Sequence, residues 1–122
     1  MSVDVGMEVV YGFKLDRKKF QKFVEEQEKL NPDFDIHEWC EDITECSCCE
    51  FVYENHYCYM WDSDIYFGVV WYNRITAENL AQLERDRKEE VCDELIRIFG
   101  NYDMLDRDQI AEPELHAFAQ IY

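Results

Sequence analysis

The sequence predicts an α+β fold of the ferredoxin-like (split βαβ) kind, a four-stranded antiparallel sheet with helices packed on one face. Three observations lead there. Apolar residues recur at every second position in four stretches. They recur with helical spacing in the stretches between. The resulting order is strand, helix, strand, strand, helix, strand, with one short extra helix after the first. Right-handed crossovers then set the first and last strands side by side, in spatial order 4-1-3-2. With 122 residues, 48% of them hydrophobic, the chain is expected to form a single domain over residues 1–122.

Residues 7–15 open the fold. Met7, Val9, Tyr11, Phe13 and Leu15 alternate with Glu8, Val10, Gly12 and Lys14, the period of a strand. Asp16 then offers a helix cap, and Phe20, Phe23, Val24 and Leu30 share one helical face until Asn31-Pro32 stops the helix. Asp35 with Glu38 three residues on reads as a capping box. Behind it, Ile36, Trp39, Cys40 and Ile43 make a short apolar face.

From Glu50 the period returns to two. Phe51, Tyr53, Tyr57, Tyr59 and Trp61 point one way, and Val52, Glu54, His56, Cys58 and Met60 the other. Asp62-Ser63-Asp64 reads as a turn into a strand of Ile65, Phe67, Val69 and Trp71, opposite Tyr66, Gly68, Val70 and Tyr72. A fold-back at Glu54-Asn55-His56 is the competing register. Thr76 caps the longest helix, which ends at Gly100 and buries Leu80, Leu83, Val91, Leu95, Ile98 and Phe99. Its all-charged middle, Arg85 to Glu90, is expected in solvent. Leu115, Ala117, Ala119 and Ile121 close the chain as a strand.

Charge is lopsided. The whole chain carries 28 acids and 12 bases, a net −16, which weighs against direct contact with nucleic acid or an anionic membrane. Residues 30–73 hold ten of the acids and no lysine or arginine. Interleaving with apolar residues makes this folded structure rather than a disordered tail. Nine of the 22 residues from Phe51 to Tyr72 are aromatic, too many for the core side alone, so some should reach the surface. Exposed aromatics beside unopposed carboxylates suit a protein interface.

Five of the six cysteines lie between residues 40 and 58. His37-x-x-Cys40 on a helix and the knuckle Cys46-x-x-Cys49 together offer four nitrogen and sulfur ligands, the number zinc takes. The pairs are separated by only five residues, however, against the dozen or more of zinc fingers and ribbons. Cys40 also belongs to an apolar face, where a free cysteine behaves as a small hydrophobe. A redox role for the knuckle is disfavoured, because the surrounding carboxylates raise thiol pKa values. No phosphate-cradling glycine loop, HExxH or GxSxG is present.

The first expectation is therefore a non-catalytic acidic interaction module that blocks or regulates a basic, nucleic-acid-binding protein. Its contact residues would be Glu50, Glu54, Asp62, Asp64, Tyr57, Tyr59 and Tyr66, and it needs no cofactor. In charge and size alone the chain resembles small acidic inhibitors that phages and viruses direct at DNA-handling proteins. The second is a zinc-stabilised adaptor using His37, Cys40, Cys46 and Cys49. The third is a small enzyme or ligand binder with Cys58 or His56 in a deep pocket. No leader or membrane segment is visible, so an intracellular, cytoplasmic location is expected, in the host if the protein is viral.

Overall fold

The structure is a computed structural model that describes residues 5–53, 64–71, 76–107, 109 and 112–121. Its elements in chain order are β1 (Val5–Leu15), α1 (Arg17–Leu30), α2 (Ile36–Ile43), β2 (Glu50–Tyr53), β3 (Ile65–Trp71), α3 (Ala77–Phe99) and β4 (Glu114–Ile121). The strands form one open antiparallel sheet in the order β2-β3-β1-β4, which is 4-1-3-2 read from the other edge. This is an α+β fold. None of the helices among the described residues is long and apolar enough to cross a membrane.

Local chemistry sets the helix ends. The Asp16 carboxylate accepts from the Lys19 backbone N–H to start α1, and Asp35 accepts from those of His37 and Glu38 to start α2. Thr76 and Asn79 cap α3 reciprocally, and Gly100 ends it with φ of 80°, a left-handed conformation natural to glycine. Residues 84–90 are all exposed between the buried Leu83 and Val91, so the charged middle of α3 does lie in solvent.

Helices cover one face of the sheet. Tyr11, Phe13, Leu15, Ile65 and Phe67 from the strands meet Phe20 and Val24 of α1 and Leu83, Val91 and Leu95 of α3. Phe51 extends this core to the edge, its ring 4.9 Å from Phe67 and 5.8 Å from Trp39 of α2. Trp39 in turn lies 5.2 Å from Phe23. Each ring removed from water contributes about 1.5–3 kcal/mol, and each ring pair about 0.5–1.5 kcal/mol more. The surface ion pairs are worth much less, so this aromatic cluster holds α2 in place.

Three expectations are corrected. β2 and β3 pair with Ile65 opposite Tyr53 and Phe67 opposite Phe51, a register that neither a tight turn at Asp62-Ser63-Asp64 nor a fold-back at Glu54-Asn55-His56 produces; residues 54–63 themselves lie outside the described residues. Cross-strand burial of Phe51 on Phe67 sets this register, whatever the local alternation suggests. Tyr66 is not a surface residue: on the sheet face away from the helices it clusters with Val10 and Val52 at 8% exposure. Leu30 leaves the core stripe altogether at 81% exposure, since the buried residues of α1 are Phe20 and Val24 and the final turn runs on past them.

Candidate protein-interaction face

The face begins with α2, whose apolar side is spent on the core. Ile36, Trp39 and Cys40 pack inward. That rotation leaves Glu38, Glu41 and Asp42 outward, and Asp33, Asp35 and Glu45 flank them, all six exposed. Among the described residues none of the six enters an ion pair. Asp35 and Glu38 sit where the helix N-terminus favours negative charge. Glu41 and Asp42 sit at the other end, where the helix dipole opposes them, and the last turn of α2 holds no base. Like charges three or four apart, as in Glu38 with Glu41 or Asp42, cost about 0.2–0.5 kcal/mol per pair. This helix thus holds unneutralised charge at some cost to its own stability.

α3 extends the patch. Glu90, Asp93 and Glu94 line an open cleft of about 440 Å³ with Cys46, Ser47, Cys48 and Arg87. The bases there are already engaged: Arg87 pairs with Glu90 at 2.6 Å and Arg97 with Glu94 at 2.6 Å. Arg87 holds the Glu90 carboxyl below its ordinary range through that hydrogen bond. Arg97 also donates to the Ile43 carbonyl oxygen at 2.7 Å, satisfying a C-terminal carbonyl of α2 and joining it to α3.

The expected contact residues fare unevenly. Glu50 is exposed at the start of the edge strand β2. Asp64 lies 3.6 Å from Lys14 and 3.8 Å from Arg17, so bases from a distant segment neutralise it. Tyr66 is buried. Glu54, Tyr57, Tyr59 and Asp62 lie outside the described residues. Among the described residues the acidic surface is centred on α2. The signal for this was in the sequence, because Glu38, Glu41 and Asp42 are the positions left over when Ile36, Trp39, Cys40 and Ile43 are assigned inward.

The four suggested zinc ligands do not converge. His37 and Cys40 share a cleft of about 220 Å³ with Glu41, Phe51 and Tyr53, backed by Phe20 and Ile65. Cys46 opens instead onto the cleft beside α3. Cys49 is fully buried in the core, its sulfur 3.7 Å from that of Cys48. Cys46 lies within the turn at residues 44–47, closed by Ser47 N–H to the Thr44 carbonyl oxygen, and is exposed there. Among the described residues no group of three or more His, Cys, Asp or Glu is placed to hold a metal ion.

Cys40, Cys48 and Cys49 are poor nucleophiles. Burial, helped by Glu41, pushes Cys40 up to about 12. Burial raises Cys49 as well, with a further push from neighbouring Cys48. Cys48 is raised first by burial and then by its hydrogen bond to Glu90. All three are thiols, not thiolates, at neutral pH. His56 and Cys58, the other pairing considered, lie outside the described residues.

Comparison with known proteins adds no family. No protein-family model matches the chain, no curated protein matches it, and no solved structure matches it.

Proposed function

We propose that the protein is a non-catalytic acidic interaction module that binds a basic, nucleic-acid-binding protein and blocks or regulates it. One observation carries the reading: six carboxylates gathered on and around α2, exposed and without ion pairs among the described residues, in a stretch (residues 30–53) with no lysine or arginine. Retaining mutually repelling charge on a short helix makes physical sense if a partner supplies the counter-charge. Basic protein surfaces are commonly those that bind the phosphate backbone, and a run of carboxylates competes for them as a duplex would. In this reading the sheet is a ferredoxin-like platform that displays α2, and the protein works inside a cell, as a phage or viral inhibitor of a DNA-handling enzyme would.

The test is capture from host lysate on immobilised protein at low and high salt, with duplex DNA as competitor. The expected result is a basic protein released both by salt and by DNA, and lost when Glu38, Glu41, Asp42 and Glu45 are all changed to lysine. Retention indifferent to ionic strength removes the electrostatic basis.

A further inference from the structure

We infer that the cleft between α2 and the edge strand β2 is an anchor pocket for a single arginine side chain of the basic partner. The inference rests on the acidic-face reading above and gives it a specific recognition element. At about 220 Å³ the cleft is smaller than the roughly 300–1,000 Å³ typical of cofactor and small-molecule sites, so it suits one side chain.

Its lining selects the chemistry. The aromatic walls come from Phe51, Tyr53 and His37, with the His37 and Tyr53 rings 6.2 Å apart at 55°. Among the described residues one carboxylate, Glu41, stands with them, and no lysine or arginine lines the space. Cys40 adds no charge, because its thiol stays protonated. A pocket walled by aromatic rings with one carboxylate favours a flat, weakly hydrated cation that can lie against a ring and fork to the carboxylate at once. Guanidinium meets that description, whereas an ammonium is a compact point charge that holds its water. Glu38, Asp42 and Glu45 lie close in sequence around Glu41, so the charge that draws a basic protein in also borders the pocket. Central anchors of this kind, ringed by polar contacts, are where arginine is enriched in interfaces.

The probes are hepta-arginine and hepta-lysine, equal in charge, titrated calorimetrically against the whole chain at 50 and 150 mM salt. The expected result is binding of both, with the arginine peptide about fivefold to tenfold tighter. The preference should fall to near one in Glu41→Gln and in His37→Ala, both at exposed positions that leave the fold intact by circular dichroism. Glu45→Gln removes the same charge outside the cleft lining; it should weaken both peptides equally and keep their ratio. Equal affinity of the wild-type protein for the two peptides, or an unchanged ratio in Glu41→Gln, overturns the arginine pocket alone. Absence of binding by either peptide at 50 mM salt overturns the acidic-face reading and the pocket with it.

Discussion

The rings of Tyr66 and His116 lie 5.1 Å apart, centroid to centroid, although β1 runs between their strands. Residues two strands apart in a sheet are ordinarily separated by about 9–10 Å. The contact exists because Gly12, paired with Gly68, stands on the diagonal between them with no side chain in the way. The glycine pair thus explains how a tyrosine on the helix-free face comes to be buried. A Cβ on Gly12 would land against the Phe67 carbonyl oxygen, and one on Gly68 against that of Tyr11, far inside van der Waals contact.

Gly12→Ala and Gly68→Ala are each expected to destabilise the fold by about 3 kcal/mol, because the atoms that would have to yield are backbone. The urea midpoint checks this. A loss below about 0.5 kcal/mol in either variant would show that the two strands can separate at little cost.

His116 gives a pH dependence of definite sign. Burial lowers its pKa below the ordinary 6.5, more than the neighbouring Glu114 raises it. The unfolded chain therefore binds more protons at this site, and stability rises with pH across the window. The contribution is fully present above about 6.5 and is lost as pH falls through the lower folded-state value. Melting temperature should decline from pH 7 to pH 5.5, and His116→Gln should flatten that slope. An unchanged slope in the variant would assign the dependence to other groups.

Neutralising the end of α2 should stabilise the protein while harming its proposed activity. Glu41→Gln, Asp42→Asn and Glu45→Gln together remove charge that opposes the helix dipole and repels its neighbours. A gain of about 0.5–1 kcal/mol is expected at low salt. The gain should shrink in 0.5 M salt. Thermal unfolding at the two salt concentrations reads both effects. A loss of stability would mean that these carboxylates have partners.

The cysteines should separate by reactivity. Cys46 is exposed, whereas Cys40 and Cys49 are held as neutral, shielded thiols. Iodoacetamide at pH 8, followed by peptide mass spectrometry, should label Cys46 within minutes and leave Cys40 and Cys49 unmodified until urea is added. Rapid labelling of Cys49 in the native protein would contradict its place in the core.

Much of this fold is written locally. Asp16, Asp35, Thr76 and Gly100 mark helix ends by their own hydrogen bonds or backbone freedom, and the alternation around Tyr11, Phe13, Phe67 and Val69 marks strands by pleat alone. Register is different, since it is decided between strands. The alternation from Phe51 to Trp61 suits several registers, and the pairing of Phe51 with Phe67 is one that neither hairpin read from the sequence contains. The surface is less legible for a similar reason. Asp64 and Glu41 are equal as letters, yet Lys14 and Arg17 reach the first and no described base pairs with the second. Net charge can be added along a chain, but which carboxylates remain uncompensated depends on neighbours that only folding supplies.

Arg97 has a mechanical consequence. Its guanidinium donates to the Ile43 carbonyl oxygen at the end of α2 while its backbone belongs to the final turn of α3. At about 1.5 Å per residue, the 23 residues of α3 make a rod of roughly 35 Å. The short helix is thereby tied, by that guanidinium and by the Trp39–Phe99 ring contact, to one end of a stiff strut whose other end is capped by Thr76.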